Sequence, residues 1–403
     1  MHDLTSFGLA ILVVAAALWA ALLATKVGAR LSLPSAALFL VAAAVASDLF
    51  PSLVLRIATV ERIATVALIV ILFQGGSSIG LRRFRVAAAP IASLGVLGTF
   101  ACAGLVTLFV HLAFGLGWLT AGLIGAAVAP TDPAVMFSVL GAQEIRGRTG
   151  TILEGESGAN DPVGIALMVG LIELATHAHA TFWIVVRVFV EQMSIGLAIG
   201  IAGGAAAYLL RGIALPSSGL YTLRTLALAG VVYGVAAVAH GSGFLAVFVA
   251  GLIAGDLETP YKHEIVVFEE GLAALAEIVV FVALGLTIDI SGLSAARWGE
   301  GLAIAAFLAL AARPVVVGSL LAPVRLTPPE RVFVIWGGLK GAVPILLAAF
   351  ALGGGVADAR RIYETVFVVV LASVVVQGGT IPLAASRFGV EMRSVLPRGI
   401  GAR

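Results

Sequence analysis

Thirteen apolar segments follow one another along the chain and are separated by short connections. A helix needs about 20 mostly apolar residues to cross the hydrocarbon core of a membrane. The predicted spans are roughly 4–24, 33–50, 63–79, 87–114, 118–140, 150–175, 182–210, 221–239, 243–255, 264–287, 298–322, 331–352 and 362–386. No connection could fold as a soluble domain. The sequence therefore predicts an all-α polytopic membrane protein made of a single membrane domain, residues 1–403.

The composition excludes several other classes of protein. Hydrophobic residues make up 61% of the chain and charged residues only 11%, whereas soluble domains contain about 25% charged residues. The 48 glycines are typical of helices that pack closely in a bilayer. A net charge of +2 gives no reason to expect nucleic acid. Because Cys102 is the one cysteine, neither a disulfide framework nor a thiolate metal site is expected.

The basic residues predict the orientation, because cytoplasmic loops of membrane proteins are rich in Lys and Arg. With thirteen spans, 16 of them fall on one side: Lys26, Arg30, Arg82, Arg83, Arg85, Arg146, Arg148, Arg211, Arg224, Lys262, Arg325, Arg331, Arg387, Arg393, Arg398 and Arg403. The opposite side has 5: Arg56, Arg62, Arg297, Arg360 and Arg361. We therefore expect an inner-membrane protein with its N-terminus outside and its C-terminus in the cytoplasm. The start of the chain lacks the basic region of a cleavable signal peptide.

The fifth span is interrupted near its middle. Pro130 and Pro133 flank Thr131-Asp132, and prolines this close remove backbone donors and break a helix. Two half-helices joined by an extended stretch are expected, with backbone groups and dipole ends left unpaired. Such irregular backbone is tolerated at this depth only where it is enclosed by protein or lines a cavity. Asp132 is also in position to cap the second half-helix.

The sixth span places four polar side chains within a turn and a half. They are Glu156, Ser157, Asn160 and Asp161, and Pro162 follows directly. Residues four apart lie on the same helix face, so their oxygens form two neighbouring stripes. Carboxylate, amide and hydroxyl oxygens suit a hard cation. Charged groups at this depth are expensive and mark functional sites, although a structural hydrogen-bond cluster is the alternative.

The twelfth span resembles the fifth in being broken. Gly337, Gly338, Gly341 and Pro344 interrupt an apolar run around Lys340. Two such spans, one in each half, predict an inverted-repeat transporter with broken helices crossing at the midplane. Lys340 would neutralise half-helix C-termini there, in a structural or a transport role. Arg313 and Glu277 are two further charged residues within the predicted spans.

Arg313 in span 11 is expected to form a structural ion pair, with Glu156 as its candidate partner. Glu277 in span 10 has no assigned role. These polar groups converge within one chain, whereas a channel would need a continuous pore. No HExxH or Walker A motif points to an enzyme. A transporter of another small solute remains an alternative.

Several segments together resemble a known family. GESGANDP, APTDPAV, FQGGSS, ARPVVV and WGGLKGAVPILLA, in their spacing over nearly the whole chain, are similar to the monovalent cation/proton antiporters. The resemblance is to the electroneutral Asn-Asp branch, and within it to bacterial sodium or potassium/proton antiporters of the cell-volume-regulation type.

The resemblance implies a homodimer in which residues 1–80 and 182–287 form dimerisation helices, and 87–175 and 298–386 a mobile core. It also implies that Asp161 binds Na⁺ or K⁺ and H⁺ alternately. Asn160 and Glu156 would shape this site, and Thr131, Asp132 and Ser157 would supply further oxygens. No cofactor is expected, and one neutral Asn beside one Asp favours 1:1 exchange.

Two residues depart from the family pattern. Gln74 stands where many relatives have an acidic residue, and Lys340 where Arg is frequent. Both substitutions alter the electrostatics around Asp161, so the choice of ion stays open. The sequence ends at Arg403 without the cytosolic regulatory domain of many relatives, so we expect no regulation of that kind.

Overall fold

The computed structural model describes residues 33–390 apart from 141, 142, 146 and 178, together with 392–394 and positions 8, 12, 15, 18, 19, 21–25 and 28. The first predicted span, 4–24, lies largely outside the described residues. Among the basic residues used for the orientation, Lys26, Arg30, Arg146, Arg398 and Arg403 are outside them too.

The described chain is a succession of α-helices. In chain order they are α1 Ser35–Leu49, α2 Ile57–Val86, α3 Ala88–Phe114, α4 Trp118–Val128, α5 Pro133–Leu140, α6 Gly147–Thr176, α7 Trp183–Leu210, α8 Ser218–Val238, α9 Gly243–Gly255, α10 Lys262–Gly285, α11 Ala295–Leu321, α12 Pro328–Trp336, α13 Ala342–Gly353 and α14 Ala359–Phe388. Seven of them are long and apolar enough to span a membrane: α2, α3, α6, α7, α8, α11 and α14. The polytopic all-α prediction is confirmed, and every predicted span from 33–50 onward coincides with one helix or a pair of half-helices.

Two details differ from the predicted picture. Helix α2 extends beyond 63–79, so Arg82, Arg83 and Arg85 are helical rather than in a loop. The helix bends at Gly80, whose φ of 70° suits glycine, and beyond the bend the Arg82 N–H donates to Asp256 Oδ2 at 2.7 Å. The second difference is a pair of three-residue antiparallel strands, β1 Gln143–Ile145 and β2 Met392–Ser394.

The two halves of the chain share an internal symmetry. Helices α3 and α11 each have 27 residues, and α6 and α14 each have 30. A broken span lies between the two long helices of each half: α4–α5 between α3 and α6, and α12–α13 between α11 and α14. The corresponding spans are seven crossings apart, so they run in opposite directions. This is the arrangement expected of inverted repeats.

Close glycine contacts hold the helices around this symmetric unit. Helix α9 packs against α2 and α7. A side chain at Gly251 of α9 would have its Cβ only 2.5 Å from the Phe73 carbonyl oxygen of α2, so glycine permits the approach. Helix α13 is buried along most of its length, from Ala342 to Ala349. The broken spans therefore lie in the interior of the protein.

Candidate functional site

The two broken spans meet at their interruptions. Helix α4 ends at Val128 and α5 begins at Pro133, whereas α12 ends at Trp336 and α13 begins at Ala342. The Asp132 N–H donates to the Leu339 carbonyl across the crossing at 2.8 Å. The predicted breaks are confirmed, and one hydrogen bond joins their non-helical backbones.

Asn160 attaches α6 to this crossing. Its Nδ2 donates to Thr131 Oγ1 at 2.8 Å, and the Thr131 N–H donates to Asn160 Oδ1 at 3.4 Å. The amide thus accepts from a backbone N–H and donates to a hydroxyl oxygen in the non-helical part of span 5; a second carboxylate could accept from both groups but could not donate to the hydroxyl. Both residues are buried.

Asp161 follows Asn160 directly, but one of its carboxylate oxygens is not hydrogen-bonded in the described structure. It is only 5% exposed, and its Oδ1 is a buried atom without a hydrogen-bond partner among the described residues. Ser157 is buried one turn earlier on α6. Pro162 lies inside the helix, so the carbonyl of Gly158 loses its usual donor. Unpaired buried oxygens are costly, so this turn is suited to receive a proton or a cation.

Lys340 stabilises the end of the opposing half-helix. Its Nζ donates to the carbonyl oxygens of Ala129 and Pro130, at 2.8 and 2.9 Å. These carbonyls directly follow α4, where the helix dipole places negative partial charge. The predicted neutralisation of half-helix C-termini is therefore observed. No salt bridge joins Lys340 to Asp161 in the part of the chain that the structure describes.

Arg313 does the same for the other broken span. Its Nε and Nη2 donate to the carbonyls of Ile335 and Val334 near the end of α12, at 2.8 and 3.1 Å. The guanidinium also binds both carboxylate oxygens of Glu156, at 2.8 and 3.1 Å. The predicted partner of Arg313 is confirmed. Each broken span thus has a buried cation on the C-terminal carbonyls of its first half-helix.

A further polar network was not anticipated from the sequence. The backbone N–H of Lys340 donates to Ser373 Oγ, and this hydroxyl donates to Gln377 Oε1. Gln377 Nε2 in turn donates to the Trp336 carbonyl. Ser373 and Gln377 lie in a π-helical segment of α14, Ser373–Gly378, and such segments are frequent at functional sites. Two polar residues four apart in the apolar run VFVVVLASVVVQGG were the available signal.

Gln74 is not brought into this group. It is half-buried on α2, and the described structure contains no hydrogen bond from it to Asn160 or Asp161. Glu277 on α10, in contrast, has a buried Oε1 without a hydrogen-bond partner among the described residues.

An open cavity borders the face of α6 that carries Asp161. Its volume is about 590 Å³, and it lies between α6 and the α7–α9 helices. Ile165 and Val169, which line it, follow Asp161 by one and two turns on α6. Glu173 and Glu191 provide acidic groups in its wall. The cavity therefore borders α6 one turn beyond Asp161, which is not among its lining residues.

Gly341 is required by the close approach of the two breaks. A Cβ at this position would overlap the Asp132 carboxylate. We expect Gly341→Ala to lower the free energy of unfolding by about 1–3 kcal/mol, because overpacking displaces Asp132 or separates the two broken spans. Thermal unfolding in detergent measures the change. Gly234→Ala in α8 is the control, since a Cβ there meets nothing within 4 Å; an equal effect in both variants would contradict the explanation.

Comparisons with known proteins agree on one family. The sequence profile described as "Sodium/hydrogen exchanger, transmembrane" matches residues 12–387. The chain is 33% identical over 375 residues to a K⁺/H⁺ antiporter NhaP2 from Shewanella sp. strain ANA-3, covering 92% of this chain and 65% of that protein. It is 38% identical over 333 residues to a K⁺/H⁺ antiporter NhaP from Alkalimonas amylolytica, covering 82% and 58%.

A solved structure has the same fold. The sodium proton antiporter MjNhaP1 from Methanocaldococcus jannaschii matches with a TM-score of 0.77 at 21% identity, covering 96% of this chain and all of that one. The chain spans 65% and 58% of the length of the two curated relatives above, less than two thirds of each. The profile match covers nearly the whole chain, so this protein belongs to the transmembrane sodium/hydrogen exchanger family.

Proposed function

We propose that this protein is a secondary antiporter that exchanges a monovalent cation, Na⁺ or K⁺, for protons. The observation that carries the proposal is the buried, unpartnered Oδ1 of Asp161 beside two broken helices. Burial destabilises a carboxylate whose charge is not neutralised, and either a proton or a cation can neutralise it. The proton and the cation therefore compete for Asp161. Their movements are coupled if the core domain carries the site across the membrane only when Asp161 is neutralised.

The surrounding charges support a 1:1 exchange. Lys340 is bound to the carbonyls of Ala129 and Pro130, and Arg313 is bound to Glu156. Both cations therefore serve as fixed parts of the frame. Because Asn160 is neutral, Asp161 is the one group of its turn that exchanges a proton for a cation. The oxygens of Thr131, Asp132 and Ser157 would complete the site.

The proposal extends to the assembly and its placement. We propose a homodimer in the cell inner membrane, with the N-terminus outside and the C-terminus in the cytoplasm. Residues 1–80 and 182–287 would form the dimerisation helices, and 87–175 and 298–386 the moving core. No resident cofactor is part of the proposal. Relatives are named as K⁺/H⁺ and as Na⁺/H⁺ antiporters, the latter including ApNhaP of Aphanothece halophytica, 28% identical over 347 residues.

Purified protein in liposomes tests this function. With a pH-sensitive dye inside, addition of Na⁺ or K⁺ is expected to move protons, whereas choline at the same concentration is not. A potential-sensitive dye should remain unchanged, because 1:1 exchange moves no net charge. Absence of a response to Na⁺, K⁺ and Li⁺ would reject antiport, and a membrane potential built up by exchange would reject the 1:1 ratio.

A further inference from the structure

Two buried side-chain oxygens make no hydrogen bond in the described structure: Asp161 Oδ1 and Glu277 Oε1. Every other buried side-chain oxygen of that part of the chain has a partner. Most buried polar atoms in proteins are paired, so an exception calls for a proton, a water or an ion. The first of these oxygens belongs to the proposed transport site. The second lies on a different helix and has no role in the function proposed above.

Glu277 nevertheless lies beside that site. Its helix, α10, packs against α13, which begins two residues after Lys340. The Asp132 carboxylate is within electrostatic range of both Glu277 and Asp161. Asp132 is therefore near both residues that carry an unpaired oxygen, Asp161 on α6 and Glu277 on α10.

The local charges favour a cation at this place. Arg313 is neutralised by Glu156 at 2.8 Å, and Lys340 donates to two carbonyls. Asp161 and Glu277 both lie within electrostatic range of Asp132, and Lys340 lies within range of Asp161. A cation bound beside these carboxylates relieves the repulsion between them in a low-dielectric interior. The described residues contain no group of three or more acidic, His or Cys side chains that could hold one metal ion together, so these three carboxylates do not form a single metal cluster.

We propose that Glu277 binds the transported cation as a second position, on the α10 side of Asp132, from which the ion reaches Asp161 or leaves it. This rests on the proposed antiport function. A single carboxylate with one oxygen already inaccessible to solvent is suited to a monovalent ion that is held weakly and passed on. In this proposal, helix α10 of the dimerisation domain contributes an acidic side chain to cation binding, whereas Gln74 of α2 is uncharged.

Glu277→Gln tests the proposal in liposomes, with exchange measured against Na⁺, K⁺ and Li⁺ concentration. The apparent KM for the transported cation is expected to rise roughly ten- to a hundredfold, the effect of losing one charged ligand, with kcat changed less. Glu277→Asp keeps the charge and should restore part of the affinity. Glu270→Gln, an exposed residue of the same helix, is the matched control and should behave as wild type.

A binding measurement without transport separates the remaining explanations. Cation should raise the Tm of the wild-type protein in detergent, because a ligand stabilises the state that binds it, and Glu277→Gln should reduce that shift. If Glu277 instead carries a permanent proton, glutamine mimics it, and an unchanged KM and Tm shift overturns the proposal. If the wild type itself moves no protons in response to cations, the antiport function fails first, whatever Glu277 does.

Discussion

Asp161→Asn is expected to reduce cation-driven proton movement in liposomes to the level of protein-free vesicles. Asparagine has the shape of a protonated aspartate but can neither release a proton nor offer a charge to a cation. The core would then be permanently neutral at this position, and no exchange could be driven by either gradient. The measurement is the initial rate of internal pH change after addition of Na⁺, K⁺ or Li⁺.

The same variant should fold at least as well as the wild type. Oδ1 of Asp161 has no hydrogen-bond partner among the described residues, so replacing the carboxylate removes a group that is costly to bury. An unchanged or higher Tm in detergent, together with lost exchange, assigns the loss to transport. Asp289→Asn in the exposed loop after α10 is the control and should retain exchange. Substantial exchange in Asp161→Asn would exclude this residue as the coupling group.

The positions of the spans could be predicted because the bilayer imposes a strict rule. Backbone groups in hydrocarbon must be satisfied within a helix, and the required length is nearly constant. Even the 13-residue helix α9 was predicted within its observed bounds, Gly243–Gly255. The extension of α2 through Arg82 and Arg85 was not, because helix continuation into water leaves no hydropathy signal. That extension depends on Gly80 and on the distant Asp256.

The site was predictable where it is local in the chain. Pro130 and Pro133 indicate the break between α4 and α5 from the chemistry of proline alone. The Arg313–Glu156 pair followed from a simple requirement, since a buried guanidinium needs a buried carboxylate. The bonds from Arg313 to the carbonyls of Val334 and Ile335 were not foreseen. They depend on how α11 and α12 are aligned, which is a tertiary property.

Gln74 and Glu277 differ in the same way. Gln74 was singled out by the family pattern, but it is half-buried on α2 without a bond to the site. Glu277 has no recognisable motif, and only the packing of α10 against α13 places it beside Asp132. An acidic residue within a membrane-spanning helix is thus a candidate functional residue even where no motif includes it.

Arg313→Met is expected to be the most destabilising substitution at the site. The side chain is 5% exposed and that of Glu156 3%, so the variant leaves a buried carboxylate without its bidentate partner. It also leaves the Val334 and Ile335 carbonyls without this donor. Removing one member of a buried ion pair costs about 3–5 kcal/mol. Thermal unfolding in detergent should show this as a marked fall in Tm.

A double-mutant cycle identifies the cause. Arg313→Met combined with Glu156→Gln removes the uncompensated charge and should recover much of the lost stability, so that the two effects are strongly non-additive. Arg360→Met is the matched control, because Arg360 pairs with Glu364 at 2.8 Å but its side chain is 81% exposed, and exposed pairs contribute about 0–1 kcal/mol. Additive losses in the double variant would mean that Arg313 stabilises the protein mainly through the α12 carbonyls. The stability of the broken span, rather than the ion pair, would then be what Arg313 provides.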